Sequence, residues 1–512
     1  MASSIGIYVG STSCCVAVNK ENRTSVVAND SGDRVTPSVV AYTDREKTVG
    51  LAAKQGKIRN AANTVTNVKH IIGKRFDDAS IQDIIKQSSA KIIEKDGFCL
   101  FEVEFQERTI KVTPQEIMTL ICKKVMDIAQ VHVHGGNTVQ DAVMAVPLHF
   151  TQQQCTLISL AAKDAGFNIL QLISEPAAAA LAYNIGQDVP SKSSNVIVYH
   201  LGGTVLDVTV LSVNGGMYRV LANIHDTTHG GEQLTDLLVE FCAADFQKRW
   251  KCDVRSNKRA VAKLHSACEV CKHVLSIMST STVSVESLYD GIDFNCSISR
   301  ARLELLFTPT LQNCLQPMQK VLEDAGLKRE KIDKVVITGG STKIPKLKQL
   351  LKDFFPKVEL LDSISPDEVV AMGTAIQADL LTSRDSIDLG ENHQVELCSK
   401  AILLKVLDES NSEKLQTVIG KHTPIPVRRQ HPLQVNTNQT SACVCVYEGE
   451  TESCPQDATL LAKVVLRNLP NNSEEKVSIT TVLHYKREGC LHVTCTEKTS
   501  GISEDVTIEV SA

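Results

Sequence analysis

Ile5-Gly6-Ile7-Tyr8-Val9-Gly10-Ser11-Thr12-Ser13 and Val196-Ile197-Val198-Tyr199-His200-Leu201-Gly202-Gly203-Thr204 are the two stretches that decide the fold. Each is an apolar strand that runs into a turn of small residues. Each is followed at once by a second apolar run, Cys15-Val16-Ala17-Val18 in the first case and Val208-Thr209-Val210-Leu211 in the second. This order reads as a β-hairpin whose tip exposes backbone N–H groups, and glycine there lets an anionic group approach the main chain. A third glycine turn ends Val335-Val336-Ile337-Thr338-Gly339-Gly340-Ser341-Thr342, but Pro345, Leu347, Leu350 and Leu351 then follow at helical spacing. That is a strand, turn and helix arranged as an anion site.

Outward from these turns, helices alternate with strands. Thr113-Pro114-Gln115-Glu116 is a capping box with proline at the first helical position, and Ile117, Leu120, Ile121, Val125 and Ile128 continue it at helical spacing. Ser365-Pro366-Asp367-Glu368 reads as a second box, opening a helix to about Leu381 in which Gly373 and Ala375 suit close packing. The alternation, with glycine turns at equivalent points of two halves, predicts a duplicated α/β domain over residues 1–384, with lobes of about 1–190 and 191–384 and nucleotide between them. Residues 385–396 are polar and aperiodic and read as a linker. From 397 to 512 the pattern has period two: Val477, Ile479, Thr481 and Leu483 share a face, a turn follows at Arg487-Glu488-Gly489, and Leu491, Val493 and Cys495 return. A small β-sandwich is expected there.

The 512 residues are enough for two or three domains, and 43% hydrophobic with 22% charged residues is an ordinary globular composition. Fifty-four basic against 59 acidic residues give a net charge of −5, with no basic block suited to a phosphodiester backbone, so direct nucleic-acid binding is not expected. No apolar stretch is long enough to span a bilayer, and residues 1–10 lack a basic segment ahead of an apolar one. The 17 cysteines are scattered, in keeping with free thiols in a reducing compartment, and the expected location is the cytosol.

Several separate motifs then appear in order: Thr36-Pro37-Ser38-Val39-Val40, Asp164-Ala165-Gly166, Ser174-Glu175-Pro176-Ala177-Ala178-Ala179, Gly230-Gly231-Glu232, Gly339-Gly340-Ser341-Thr342-Lys343-Ile344-Pro345 and Pro366-Asp367-Glu368. This set resembles the 70-kilodalton heat-shock chaperones over nearly the whole chain. The resemblance implies an actin-like (ribonuclease H-like) nucleotide-binding domain for ATP or ADP with Mg²⁺, followed by a β-sandwich peptide-binding domain, here without a helical lid. It implies that Gly10, Ser11, Thr12, Gly202 and Gly203 hold the phosphates through backbone donors. Lys69 matches the lysine that positions the attacking water, Glu175 a carboxylate near the magnesium's waters, and Asp207 one that organises the same site. Gly230, Gly231, Glu232, Gly339, Gly340, Ser341 and Asp367 belong to the same nucleotide set. Glu269, Lys272 and Ser276 match the helix that clasps ribose and base, with His273 and Lys343 standing where arginines are expected. A short cytosolic branch of the family is similar, which implies a J-domain co-chaperone as partner and work on nascent polypeptides at the ribosome.

The departures bear on chemistry. Where the family carries an aspartate before each hairpin turn, this chain has Tyr8 and His200, and Val205 replaces a threonine. Hydrolysis is therefore expected to be weak or absent, while Mg²⁺ is still carried by the nucleotide. Cys268-Glu269-Val270-Cys271 with His265 and His273 imitates metal-ligand spacing, but no second pair completes it, and buried cysteines on an amphipathic helix are the expected reading; His132-Val133-His134 carries no more weight. In the β-domain, Thr423-Pro424-Ile425-Pro426 and Val446-Tyr447-Glu448-Gly449-Glu450 resemble family segments, although their apolar residues also suit a plain core. The linker lacks the family's aspartate and leucines. Three functions compete: a chaperone with weakened ATP hydrolysis, an inactive nucleotide-binding scaffold that docks a J-domain protein without binding clients, and a metabolite kinase. A terminal β-sandwich argues against the last.

Overall fold

The two hairpins seed two sheets of one design. In the computed structural model, which describes residues 4–20, 23–131, 140–186, 193–214, 217–382, 397–407, 413–423, 425, 427–435, 440–450, 458–469, 477–486 and 490–509, the first sheet comprises β1 (Ser4–Val9), β2 (Ser13–Lys20), β3 (Arg23–Val26), β4 (Gln140–Val146) and β5 (Phe167–Ser174). The second comprises β6 (Ser194–Leu201), β7 (Leu206–Asn214), β8 (Met217–Asp226), β9 (Lys334–Thr338) and β10 (Glu359–Leu361). Their spatial orders are β3-β2-β1-β4-β5 and β8-β7-β6-β9-β10, and the two-residue strand Thr36–Pro37 joins the first sheet as a sixth member by pairing with β2. In both, an antiparallel three-strand meander is extended by two parallel strands. The parallel additions need helical crossovers, and covering helices leave central strands apolar on both faces; all six residues of β1 are buried.

The crossover helix α1 (Pro114–Gln130) begins as expected: Thr113 Oγ1 accepts from the Glu116 N–H at 3.1 Å, and the Thr113 N–H donates to Glu116 Oε2 at 2.7 Å. It packs Ile117, Ile121, Val125 and Ile128 into the core under the first sheet. Helices α2 (Glu175–Ala182), α3 (Gly231–Trp250), α4 (Lys258–Leu275), α5 (Pro345–Phe354) and α6 (Val369–Thr382) complete the framework. α3, α4 and α5 build the core of the second half, around residues such as Leu238, Phe246, Leu264 and Leu347.

One expectation needs correction. The segment Ser365–Glu368 forms a turn and not a capping box: Glu368 N donates to the Ser365 carbonyl at 2.8 Å, the Ser365 hydroxyl to Asp367 Oδ1 at 2.7 Å, and α6 starts only at Val369. The Pro366 carbonyl is in use elsewhere, accepting from Gly339 N at 2.7 Å and Thr338 Oγ1 at 3.0 Å, so this turn braces the third glycine turn. Although α6 lies late in the chain, it packs on the first sheet. A Cβ on Gly6 of β1 would stand 2.1 Å from Ala375 N, and one on Gly373 would stand 1.8 Å from the Ala178 carbonyl oxygen. Glycine is there because backbone meets backbone, and α2 and α6 share one buried cluster with Tyr8, Val196 and Val336.

The chain divides into two compact units, Met1–Asn392 and His393–Ala512. The second unit holds β11 (Ala401–Leu407), β12 (Glu413–Ile419), β13 (Val427–Val435), β14 (Ser441–Gly449), β15 (Thr459–Arg467), β16 (Val477–Tyr485), β17 (Cys490–Glu497) and β18 (Ser503–Glu509), in two four-stranded sheets ordered β12-β11-β14-β15 and β13-β16-β17-β18. Ile402, Leu404, Val444 and Val446 from one sheet and Ile479, Leu483, Leu491, Val493 and Cys495 from the other form a single core, the face read from the alternation. Thr481 within it is fully buried and meets Cys495 across the strands, Oγ1 to Sγ 3.6 Å. Pro432 sits on β13, an edge strand, the place in a sheet where proline is tolerated. The linker, the turn at 487–489, Pro424, Pro426 and the 132–134 histidines lie outside the described residues. The sixteen cysteines among the described residues are all free, and no described helix is long and apolar enough to cross a membrane.

Candidate nucleotide site

Both hairpin turns close with the same bond. Gly10 N donates to the Ser13 carbonyl at 2.8 Å and Gly202 N to the Val205 carbonyl at 2.9 Å. Tyr8 and His200 therefore occupy equivalent places, two residues before each glycine. The tips meet: a Cβ on Gly203 would lie 2.5 Å from Thr12 Cγ2. Among the described residues no backbone carbonyl accepts from the N–H of Ser11, Thr12, Gly203 or Thr204. Two tips with spare donors, apposed across one crevice, can hold an anion.

Gly230, Gly231 and Glu232 stand against the second tip. The N–H of Gly231 donates to the Gly202 carbonyl at 3.0 Å and that of Glu232 to the Gly203 carbonyl at 2.7 Å. The start of α3 thus spends its donors on the second tip and fixes it. Ser341 joins in, its hydroxyl donating to the Gly202 carbonyl at 2.8 Å.

Lys69 is buried, 6% exposed, and is no solvated helix lysine. Its Nζ donates to Glu175 Oε1 at 2.6 Å and lies 5.2 Å from the centre of the Tyr8 ring. Tyr8, 8% exposed, fills the space under the first turn, its Oη 3.2 Å from where a Gly10 Cβ would be. Burial, followed by the nearby carboxylates Glu175 and Asp207, raises its phenol pKa well above normal, so it stays protonated. Across the crevice, Asp207 accepts from His225 Nδ1 at 2.7 Å. Burial opposes ionisation of Asp207, but the His225 bond and the imidazoles of His225, His200 and His149 outweigh it and hold its carboxyl below the usual range. His200 is 8% exposed, and its Nδ1 has no partner among the described residues. Glu175, His200, Asp207 and Thr338 line one small pocket.

At the other end, Glu269 pairs with Lys54 at 2.8 Å, an ion pair between the two halves. Lys272 turns inward: its ammonium donates to the Gly231 carbonyl at 2.6 Å and Thr235 Oγ1 at 2.7 Å, and burial lowers its pKa to about 8. Ser276 Oγ donates to the Lys272 carbonyl at 3.1 Å, and Lys343 pairs with Asp367 at 2.6 Å. Gly340 faces open space: a Cβ added there would meet nothing within 4 Å among the described residues. Cys268 and Cys271 are buried in the second core and hold no ion-ready face.

Sequence reading missed Lys54, His70 with Thr204, His149 and His225. His70 Nε2 and Thr204 Oγ1 meet at 2.8 Å, linking the short helix Val68–Ile71 to the second tip. Thr204 could have been found from its place in the turn; the histidines stand in no motif, and only the fold gathers them.

Paired glycine-tipped hairpins on sheets of the same strand order, with a buried lysine and carboxylate beside them, define a duplicated α/β protein. The family model described as Hsp70 protein matches residues 4–512, and the chain belongs to that chaperone family. Among its relatives, Heat shock 70 kDa protein 14 of Danio rerio is 46% identical over 511 residues, covering 100% of this chain and 99% of that protein. Heat shock 70 kDa protein 14 of Homo sapiens is 43% identical over 510 residues, with 100% of both chains covered. Heat shock 70 kDa protein 14-B of Xenopus laevis is 45% identical over 507 residues, with 99% of each covered.

Proposed function

We propose that the protein is an ATP-binding chaperone or co-chaperone of the Hsp70 family, built on a duplicated actin-like nucleotide domain and hydrolysing ATP weakly. The observation that carries this reading is the junction of the two tips, with Ser11, Thr12, Gly203 and Thr204 offering donors to phosphate. Both sheets share the order expected of a duplicated ribonuclease H-like fold.

The residues suit the nucleotide better than its metal. Magnesium, bound with the phosphates, supplies neutralising charge. Of the acidic groups near it, Glu175 is engaged by Lys69 and Asp207 by His225, while Tyr8 and His200 offer no carboxylate. Outer-shell partners are worth about 10–100-fold each, so two independent losses amount to about 10²–10⁴-fold in metal affinity or rate. Lys69 is bonded to Glu175 and lies against the Tyr8 ring, and both restrain its ammonium. At the adenosine end the Lys54–Glu269 and Lys343–Asp367 pairs close opposite sides, with His273 and Lys343 giving weaker stacking than arginine.

The same reading has the protein act in the cytosol with a J-domain co-chaperone, on nascent polypeptides at the ribosome, with the β-sandwich offering a peptide cleft that exchanges its occupant quickly whatever the nucleotide. The full-length likeness to the relatives supports the chaperone-family part of this reading. Calorimetric titration with ATP and Mg²⁺, followed by a turnover assay on the same sample, tests the core of the proposal. Binding with barely detectable turnover is expected, and Tyr8→Asp combined with His200→Asp should raise turnover. No heat of binding, or turnover that the double change leaves untouched, sinks it.

A further inference from the structure

Strand pairing places three side chains in a row. His200 on β6 is the direct partner of Asp207 on β7, and Asp207 that of His225 on β8. Directly paired residues project to the same face of a sheet. A fourth side chain, His149, arrives from the segment after β4 and lays its ring against that of His225, centroids 3.8 Å apart. His149, Asp207 and His225 can each turn one ligand atom to a common point, these atoms lying within 4.8 Å of one another. A tetrahedral zinc ion with bonds of about 2.0–2.1 Å sets its ligand atoms about 3.3 Å apart, so the three side chains draw together and the stacked imidazoles of His149 and His225 turn apart when the ion enters.

A second observation lies beside this cluster. His200, the strand partner of Asp207 and 8% exposed, keeps its Nδ1 without a partner among the described residues, and it shares a small pocket with Asp207. An orphaned buried imidazole nitrogen is costly unless something else engages it.

We propose that His149, Asp207 and His225 bind a divalent transition ion of the zinc class. Two imidazoles and one carboxylate match the ligand preference of zinc and poorly match magnesium, which takes oxygen in octahedral array. Three protein ligands leave one coordination position for water or a phosphate oxygen, the pattern of an open zinc site. In the metal-free protein the His225 Nδ1–H bond to Asp207 keeps both ligands in reach. When the ion enters through Nδ1, that proton moves to Nε2 or is released, and the carboxylate turns from acceptor to ligand. All three ligands are present without nucleotide, so the ion binds whether or not ATP does.

The test uses the full chain, stripped with a chelator and free of nucleotide, titrated with Co²⁺ as a spectroscopic stand-in and with Zn²⁺ against a chromophoric chelator. A single ion per chain with intense tetrahedral d–d bands and no sulfur-to-cobalt charge transfer is expected. His149→Ala, His225→Ala and Asp207→Asn should each weaken Zn²⁺ binding by at least about tenfold, since even outer-shell losses reach that size. Zn²⁺ should raise the melting temperature of the parent and not of these variants, and excess Mg²⁺ should leave the Co²⁺ spectrum unchanged. A thiolate band, a weak octahedral spectrum, or Zn²⁺ affinity indifferent to His149→Ala and His225→Ala overturns the site. The parent's spectrum decides by itself should any variant fail to fold. An ATP titration in chelator reports on the nucleotide site separately.

Discussion

Replacing Lys69 with methionine should expose how far the site depends on one buried ion pair. The side chains of Lys69 and Glu175 are 8% and 10% exposed and their charged atoms are 2.6 Å apart. Methionine keeps most of the apolar stem against the Tyr8 ring but leaves the Glu175 carboxylate inside the protein with no cation. Breaking a buried pair this way costs about 3–5 kcal/mol, most of it the penalty of the orphaned charge. Unfolding entropy of about 2.1 cal/mol/K per residue gives the unit Met1–Asn392 about 0.8 kcal/mol/K. A drop in melting temperature of about 4–6 °C follows when that unit melts as one. Adding Glu175→Gln removes the stranded charge, and the double variant should recover most of the loss. Scanning calorimetry of the full chain at neutral pH without nucleotide reads all three proteins. The Lys69→Met effect should also survive added salt, which screens exposed pairs far more than buried ones. A Lys69→Met protein melting with the parent, or a double variant worse than Lys69→Met alone, refutes the reasoning.

Two glycines at different depths should part company. Gly373→Ala drives a Cβ into the Ala178 carbonyl and should cost at least about 3 kcal/mol, as overpacking against rigid backbone does; Gly340→Ala, with open space around it, should stay within about 1 kcal/mol, both read by denaturant midpoints. Acid should act through His70. Burial, then the positive charge of Lys69, His225 and His149, lowers its pKa from 6.5 to about 4, with Asp207 opposing. The unfolded chain therefore takes up this proton first as pH falls, so stability declines from about pH 6.5 down to about 4 and is unaffected above that window. His70→Gln should flatten this limb in urea midpoints measured against pH; an unchanged slope would show that His70 does not carry it.

Much of the fold was legible because it is written in local patterns. Apolar runs broken by Gly10 and by Gly202-Gly203 could only be hairpins, and Thr113-Pro114-Gln115-Glu116 could only open a helix. The alternation at Val477–Leu483 named the buried face of β16 correctly. Ser365-Pro366-Asp367-Glu368 misled for an equally physical reason. Its local preference to cap a helix lost to the tertiary demand for the Pro366 carbonyl by Gly339 and Thr338. Gly231 and Glu232 were legible as a glycine turn near phosphate, but not as props of the second tip, because a motif does not reveal which partner will take its N–H groups.

The sequence alone determined the two hairpins, the helices that cross between their strands, and the places of Tyr8 and His200 just before the glycine turns, since each rests on residues within a few positions of one another. Tertiary structure decided that the tips touch, that Lys69 is buried against Glu175, that α6 returns to the first sheet, and that His149, Asp207 and His225 converge. Those contacts join residues tens to hundreds of positions apart, and their energies come from burial and from pairing across strands, which no local stretch of chain encodes.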